Sequence, residues 1–233
     1  MSTFLLIPGA GGAGWYWHLV SRRLRDAGHE AVAIDLPADD PVAGLTAYAE
    51  LALAAVAGHD DLVVVAQSMG AFTALPVCER IPVRALVLLN AMIPAPGEAA
   101  RDWWDNTGSE EARRAAARAG NYPEELDLQT YFFHDVPSEI VAASGEHQLD
   151  EADVAFEEPC PFTSWPDVPT TVLAGRADRF FPFAFQQRVA RERVAVDAQP
   201  LPGGHLTSLS QPDAVTQALI EASGDGRANR RDG

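Results

Sequence analysis

Residues 63–75 read VVVAQSMGAFTAL, in which an apolar run is followed by one serine and then by a segment that favours a helix. Around that serine, the residues from Ala66 to Gly70 follow the pattern G-x-S-x-G, with alanine in place of the first glycine. In this pattern the serine lies at a sharp turn between a strand and a helix, where only small neighbours fit. Ser68 is therefore a candidate nucleophile. The alternative is a helix cap, in which the serine hydroxyl accepts a hydrogen bond from a backbone N–H.

Length and composition predict one globular domain. With 233 residues, 47% of them hydrophobic, the chain is long enough to bury a sizeable core. Its apolar runs fall well short of the roughly 20 residues that cross a bilayer, so we expect no membrane partner. We also expect a cytoplasmic protein, because no signal-peptide core or basic leader is recognisable. The formal net charge of −16 argues against nucleic acid as a partner, since that binding requires clustered positive charge.

The reactive residue types narrow the chemistry. Every one of the 17 strongly basic residues is arginine, so Schiff-base catalysis by a lysine is excluded. Cys78 and Cys160 are expected to be two buried thiols, because disulfides are rare in proteins that are not exported. We predict no metal ion and no organic cofactor, with a small-molecule substrate as the partner. A homodimer is compatible with the sequence.

Six short apolar runs alternate with segments that favour helices. The runs are FLLI (4–7), AVAIDLP (31–37), LVVVA (62–66), VRALVLLN (83–90), TTVLAG (170–175) and AVDAQPL (195–201). This alternation predicts an α/β fold with a doubly wound, mostly parallel sheet.

The alternation is interrupted once, by an acidic and Ala/Arg-rich helical stretch that is joined to aromatic segments. We therefore divide the chain into a core of residues 1–93 and 167–222 and an inserted helical cap of residues 94–166. The last residues, 223–233, show no apolar periodicity and are expected to be a flexible tail.

A serine nucleophile needs a base that takes its proton and an acid that orients the base. Histidine is the side chain whose ordinary pKa lies near neutrality, and His205 follows the last predicted strand in LPGGHLTSL. Asp178 follows the strand TTVLAG, in GRADRFFP. The carboxyl ends of parallel strands meet at one edge of the sheet, so we expect both side chains beside Ser68. Asp167 and Asp213 are nearby competitors, but the first precedes a strand and the second begins a helix.

Acyl transfer also needs an oxyanion hole, in which backbone N–H groups stabilise negative charge on the substrate oxygen. Met69, the residue after the candidate nucleophile, supplies one such donor. The loop IPGAGGAGW, residues 7–15, follows the first strand and supplies the second donor, which we assign to Ala10.

The same loop supports a different function. Residues 9–14 read GAGGAG and match the dinucleotide fingerprint G-x-G-x-x-G, between a predicted strand and a predicted helix. Asp35 follows about 20 residues further on, where such proteins bind a ribose hydroxyl. The bulky residues WYW at 15–17 crowd the helix start, and the absence of lysine removes the Tyr-Lys pair of short-chain dehydrogenases. An NAD(P)-dependent oxidoreductase is therefore the alternative, and it leaves Ser68 and His205 unexplained.

Several longer segments resemble the plant methylesterase and hydroxynitrile lyase branch of the α/β-hydrolases. They are LIPGAGGAGWYWHLVSRRLRDAGHEAVAIDLP, AQSMGAF, ALVLLNAMIPAPG, VPTTVLAGRADRFFP and PGGHLTSLSQP. The order of serine, aspartate and histidine along the chain is also that of the α/β-hydrolases. The resemblance implies the α/β-hydrolase fold, a triad of Ser68, Asp178 and His205, and an oxyanion hole at Ala10 and Met69.

The sequence departs from that branch at four positions. Pro8, Ala66 and Gln67 stand where the branch usually has histidine, usually glycine and often histidine, and none of these changes removes a catalytic group. Leu206 stands where the lyases have a lysine, directly after the catalytic histidine. The resemblance therefore implies hydrolysis rather than cyanohydrin cleavage.

These patterns together predict a serine hydrolase that cleaves a carboxylic ester, or a lactone or thioester, through an acyl-enzyme. Nine aromatic residues fall in the cap, and aromatic side chains line most apolar ligand pockets. We assign substrate binding to Trp103, Trp104, Phe133 and His134. A non-catalytic ligand-binding protein on the same fold is the remaining alternative.

Overall fold

The computed structural model describes residues 1–147 and 149–224, and within these residues the chain forms six strands and eleven helices. The strands are β1 Thr3–Ile7, β2 Glu30–Ala33, β3 Leu62–Gln67, β4 Ala85–Leu89, β5 Thr170–Gly175 and β6 Gln199–Leu201. The helices are α1 His18–Asp26, α2 Leu45–Ala55, α3 Ala71–Arg80, α4 Ala100–Thr107, α5 Ser109–Gly120, α6 Leu128–Tyr131, α7 Ser138–Ser144, α8 Asp153–Glu157, α9 Phe183–Val194, α10 Thr207–Ser210 and α11 Pro212–Ala222. Short 3₁₀ turns cover Gly14–Trp17, Ser68–Gly70 and Gly145–His147.

The six strands are those predicted, and they form one parallel sheet in the order β2-β1-β3-β4-β5-β6. The prediction of a doubly wound parallel sheet is therefore confirmed. The strand order runs outward in opposite directions from β1 and β3, which creates a switch point between their carboxyl ends. Ligands of open parallel sheets bind in the crevice at such a point.

Both faces of the sheet are buried, because apolar side chains alternate between the faces along each central strand. On one face, Phe4 of β1 packs in a cluster with Leu24 of α1 and Leu219 of α11. On the other face, Leu5 packs in a cluster with side chains of α2, α3 and α9, such as Phe72. Burial on both faces explains why these strands read as continuous apolar runs.

Helices α4 to α8 lie between β4 and β5, in the interval 94–166 for which the sequence predicts a cap. An antiparallel bridge between Ala99 and Pro159 joins the two ends of this insertion, and Cys160 N–H donates to Glu98 O at 2.9 Å. Side chains of the insertion, such as Trp103, belong to the same apolar cluster as the sheet. The insertion therefore packs on the core rather than around a core of its own.

The C-terminal part of the described chain ends just after α11. Ser223, which the sequence assigns to the tail, is buried, and its hydroxyl donates to Ile220 O at 2.7 Å. Helix α11 thus ends at Ala222, the last residue of the predicted core, and Ser223 is its C-cap, while residues 225–233 of the predicted tail lie outside the described residues.

The two cysteines are buried and free, as expected from the sequence. Among the described residues, no helix has the length and apolar character needed to cross a membrane.

Candidate active site

Ser68 follows β3 directly and begins the 3₁₀ turn that leads into α3. Its φ of 51° lies in the left-handed region, which costs a non-glycine residue about 1–2 kcal/mol. The Met92 N–H donates to the Ser68 carbonyl oxygen at 3.0 Å and holds this turn in place. The backbone of Ser68 therefore has the strained strand-to-helix geometry of a nucleophile elbow.

The helix-cap alternative for Ser68 does not match the structure. Gln67 occupies the N-cap position of the 3₁₀ turn and Gly70 occupies that of α3, and neither position has a side-chain cap. Ser68 instead contributes to the wall of a cavity.

Two glycines bring the loop after β1 against this turn. A Cβ atom at Gly70 would lie 2.4 Å from a backbone oxygen of the loop, and one at Gly9 would lie 3.0 Å from Ser68 Cβ. Larger residues would therefore push the loop and the turn apart. The two residues predicted as oxyanion donors, Ala10 and Met69, line the same cavity as Ser68.

His205 and Asp178 form a buried pair, with His205 Nδ1 lying 2.9 Å from Asp178 Oδ2. The other carboxylate oxygen, Asp178 Oδ1, accepts the N–H groups of Phe180 and Phe181 at 2.8 and 2.9 Å. Gln186 Nε2 donates to Asp178 Oδ2 at 3.1 Å. These donors hold the carboxylate in one orientation, so that it can accept from the imidazole Nδ1–H and leave Nε2 free to act as a base.

Aromatic rings enclose the imidazole of His205. The ring centroids of Phe132, Phe180 and Phe181 each lie 5.1 Å from that of His205, with edge-to-face geometry. This apolar shell limits the access of water and strengthens the electrostatic interaction between His205 and Asp178.

A cavity of about 340 Å³ opens at the carboxyl ends of β1 and β3, at the switch point of the sheet. Its wall combines the elbow, the glycine loop and His205 with aromatic and aliphatic side chains from the cap. The residues that line it include Gly9, Ala10, Gly11, Tyr16, Gln67, Ser68, Met69, Met92, Trp104, Leu128, Phe132, Phe133, Phe156, Phe180, His205 and Leu206. The structure thus brings Ser68, His205, Ala10 and Met69 to one cavity.

The four cap residues assigned to substrate binding divide into two pairs. Trp104 and Phe133 line the cavity, whereas Trp103 and His134 are absent from the described residues that line it. Trp103 is fully buried, and its indole N–H donates to Ile93 O at 2.9 Å, so it belongs to the core. His134 Nε2 lies 3.1 Å from Ala177 O, which directs the ring toward the loop that carries Asp178. Trp103 and His134 thus lie outside the described cavity wall, and their assignment to substrate binding stays a prediction.

Among the cavity residues that the sequence does not assign to the site, Phe132 and Phe180 each carry a signal that could have identified them. Phe180 shares the loop of Asp178, and Phe132 precedes Phe133 in the same aromatic segment. A search for apolar residues within two or three positions of the predicted site residues would find both.

Glu151 lines the cavity and ties the cap to the glycine loop, a role that no sequence pattern indicates. Its Oε2 accepts the Gly11 N–H and its Oε1 accepts the Tyr48 hydroxyl, both at 2.7 Å. The pKa of the Glu151 carboxyl is raised above its ordinary value because the group is buried. The two hydrogen bonds favour the ionised form and offset only part of this rise. The cap therefore restrains the loop that carries Ala10.

The glycine loop does not present its N–H groups in the way a dinucleotide site requires. Gly14 N–H donates to Asp35 Oδ1 at 2.8 Å, and Gly11 N–H donates to Glu151. In a dinucleotide site the N–H groups of this loop face a pyrophosphate, and the acidic residue binds a ribose. Here protein carboxylates accept hydrogen bonds from both N–H groups, and Asp35 binds the loop instead of a ribose.

Comparison with known proteins places these observations in a family. The sequence model of the alpha/beta hydrolase family matches residues 4–218 of the chain. A curated relative, the probable esterase PIR7A of rice (Oryza sativa), is 36% identical over 107 residues, which cover 41% of this chain and 41% of the rice protein. The chain thus spans about two fifths of the length of the curated relatives that it matches.

Solved structures show the same fold at low sequence identity. Polyneuridine aldehyde esterase superposes with a TM-score of 0.79 at 19% identity, covering 96% of this chain and 99% of that protein. A methylesterase protein from Arabidopsis superposes with a TM-score of 0.76 at 16% identity, covering 96% and 99% of the two chains. Since the family model matches most of the chain and the sheet has the predicted topology, this protein belongs to the alpha/beta hydrolase family.

Proposed function

We propose that this protein is a serine hydrolase that cleaves a carboxylic ester, or a related acyl bond such as a lactone or thioester, through an acyl-enzyme. The observation that carries the proposal is the placement of three side chains at strand ends, Ser68 after β3, Asp178 after β5 and His205 after β6. Ser68 and His205 share one cavity, and His205 Nδ1 lies 2.9 Å from the Asp178 carboxylate. Family membership and the esterase relative support the same class of reaction.

In the first half-reaction the Ser68 oxygen attacks the acyl carbon while His205 Nε2 takes the hydroxyl proton. Asp178 orients the imidazole and stabilises its positive charge. Negative charge develops on the former carbonyl oxygen, which the Ala10 and Met69 amides stabilise. The intermediate then collapses, and His205 gives the proton to the departing alcohol or thiol while the acyl group stays on Ser68.

In the second half-reaction a water molecule attacks the acyl-enzyme, and His205 takes one of its protons. The oxyanion again faces the amides of Ala10 and Met69. When the intermediate collapses, His205 returns the proton to the Ser68 oxygen and the carboxylic acid leaves. The cycle therefore restores both residues and requires no cofactor.

The cavity supports a substrate of small to medium size with an apolar acyl group. Its volume of about 340 Å³ lies near the lower end of the range for small-molecule sites, which is about 300–1,000 Å³. Trp104, Phe132, Phe133 and Phe180 supply flat apolar surfaces to the cavity that His205 also lines, where an acyl chain can displace water.

Covalent labelling with a fluorophosphonate tests the proposal. The reagent should add one phosphonyl group to Ser68, as mapped by mass spectrometry, and should abolish the hydrolysis of a panel of p-nitrophenyl esters. Ser68→Ala protein should take up no label. An adduct on another residue, or ester turnover by folded Ser68→Ala protein, would contradict the proposed nucleophile.

A further inference from the structure

Asn90 directly follows β4 and carries a buried amide that the proposed reaction does not use. Its φ of 45° lies in the left-handed region, which asparagine and glycine adopt more easily than other residues. The backbone places the side chain between two loops that leave the same edge of the sheet. These loops carry Asp178 and His205.

The amide of Asn90 uses its full hydrogen-bonding capacity. Nδ2 donates to the carbonyl oxygens of Gly204 and His205 at 3.0 and 2.9 Å. Oδ1 accepts the Gly175 N–H at 2.7 Å and Gln186 Nε2 at 3.4 Å. Two carbonyl oxygens on one side and a backbone N–H on the other determine which amide atom is nitrogen and which is oxygen.

These contacts close a circuit of hydrogen bonds around the acid–base pair. From Asn90 the circuit runs to Gln186, whose Nε2 shares its two hydrogens among Asn90 Oδ1 at 3.4 Å, Asp178 Oδ2 at 3.1 Å and Phe181 O at 2.7 Å. It continues from Asp178 Oδ2 to His205 Nδ1 at 2.9 Å and returns from His205 O to Asn90 Nδ2. Gln67 Nε2 adds a second donor to His205 O at 3.1 Å. The histidine is thus held at its ring by Asp178 and at its backbone by two side-chain amides.

We propose that Asn90 is a positioning residue for the reaction, because it fixes the backbone of His205 and, through Gln186, the carboxylate of Asp178. The inference rests on the proposed function. Asn90 itself is absent from the described residues that line the cavity, so its effect reaches the substrate only through His205. A base displaced by about 1 Å can cost about 100-fold in rate, which a misplaced His205 loop would produce.

Two substitutions separate positioning from simple support of the fold. Asn90→Gly keeps the left-handed backbone available and removes all four side-chain hydrogen bonds. Asn90→Asp keeps the shape and the acceptor for Gly175 N–H but cannot donate to Gly204 O and His205 O when ionised. Asn121 provides the matched control, because it is an exposed asparagine with a φ of 54° at the end of α5. Asn121→Gly should behave as wild type.

The measurement is steady-state hydrolysis of a p-nitrophenyl ester, with kcat expressed per active site titrated by a fluorophosphonate so that unfolded protein is not counted. We expect kcat to fall by about 10- to 100-fold in both Asn90 variants, with KM within about threefold of wild type. The rate constant of phosphonylation should fall by a similar factor. The downfield NMR resonance of the proton between His205 Nδ1 and Asp178 should be visible in wild type and broadened or lost in both variants.

A kcat per active site within twofold of wild type would overturn the inference, even if the variants melted at lower temperature. A rise in KM at constant kcat would also overturn it, since that pattern indicates substrate binding. Failure of the proposed function is recognised separately: folded Ser68→Ala protein would then still hydrolyse the ester. An inactive Ser68→Ala together with fully active Asn90 variants would reject the role of Asn90 alone.

Discussion

Buried Glu98 and partly buried Arg193 form an ion pair that joins the beginning of the cap to helix α9. Arg193 Nη2 donates to Glu98 Oε1 at 3.0 Å, and Arg193 Nη1 donates to the other carboxylate oxygen. The exposed fractions of the two side chains are 5% for Glu98 and 14% for Arg193. Burial raises the pKa of the Glu98 carboxyl, but the hydrogen bonds from Arg193, Ala95 N–H and Asn106 outweigh it and lower that pKa below 4.5.

The first prediction concerns the stability that this pair provides. A carboxyl whose pKa is lower in the folded state stabilises the fold above its ordinary pKa, and this contribution is lost as the pH falls through the folded value. Glu98→Gln should therefore reduce the free energy of unfolding at pH 7 by about 3 kcal/mol, because it leaves Arg193 without its partner. Urea unfolding should show the difference between the two proteins shrinking as the pH falls below 4.5.

An exposed ion pair serves as the control for Glu98. Asp197 bonds Arg191 at the surface, and Asp197→Asn should leave the unfolding midpoint at pH 7 within error of wild type. If wild type and Glu98→Gln differed by the same amount at pH 3 and pH 7, the ionised pair would not be the source of the stability.

The second prediction uses the backbone strain at Ser68. Ser68→Ala and Ser68→Gly should both lose roughly four to six orders of magnitude in turnover, as deletions of catalytic groups do. Glycine adopts a φ of 51° without strain, so Ser68→Gly should be more stable than Ser68→Ala by about 1 kcal/mol. Thermal melts and ester assays on the same two samples check both parts, and equal melting temperatures would count against stored strain.

The third prediction addresses the acid–base pair. His205→Ala should cost about as much turnover as Ser68→Ala, and the double variant should lose scarcely more, because the two residues act as one unit. Asp178→Asn should reduce kcat by about four orders of magnitude, since an amide favours the wrong tautomer of the imidazole. Independent, multiplicative losses in the Ser68 and His205 variants would show that they do not share a step.

The fourth prediction separates two neighbouring tryptophans. Trp104→Ala and Phe133→Ala should change the ratio of kcat/KM between short and long acyl chains, because both side chains line the cavity. Trp103→Ala should instead destabilise the fold by about 3–5 kcal/mol and leave that ratio unchanged, because Trp103 is fully buried in the core. If acyl preference responded to Trp103 and not to Trp104, the assignment of the cavity wall would be reversed.

The fifth prediction tests the dinucleotide alternative directly. Calorimetric titration with oxidised and reduced nicotinamide cofactors should give no binding heat, because carboxylates of the protein accept from Gly11 N–H and Gly14 N–H. Asp35→Asn should lower the melting temperature by loosening the loop and should leave the titration unchanged. Saturable micromolar binding that disappears in Asp35→Asn would reject the oxyanion assignment of Ala10.

Several features could be predicted because they depend on local sequence patterns. The strands read as apolar runs because both faces of the sheet are buried, and short polar motifs at their ends mark the edge where a site forms. Ser68, Asp178 and His205 each follow a strand of one parallel sheet, so their proximity follows from topology alone. The small residues beside Ser68 also follow from the geometry of the turn.

Other features depend on how the cap lies on the core, which no local pattern encodes. Trp103 and Trp104 are adjacent on α4 and differ by about 100° around the helix axis, so only the docked position of the helix decides which one meets the cavity. Glu151 is one of 33 acidic residues, and its partner Gly11 lies 140 positions earlier in the chain. Asn90 likewise follows a strand without any distinguishing motif, and its hydrogen bonds to the loops of Gly175 and His205 become visible only in the folded structure.

The bridge between Ala99 and Pro159 has a consequence for how this chain can change over evolution. It brings together the two ends of the cap, so the cap is a closed loop of the chain. The entropy cost of closing this loop depends on its length and little on its sequence. Closure entropy grows slowly with loop length, by only about 0.6 kcal/mol for each doubling. Insertions and deletions between α4 and α8 can therefore alter the volume over the sheet edge while the six strands keep their register. Substrate range can vary in this way as long as the cap side chains that complete the core, such as Trp103, are retained.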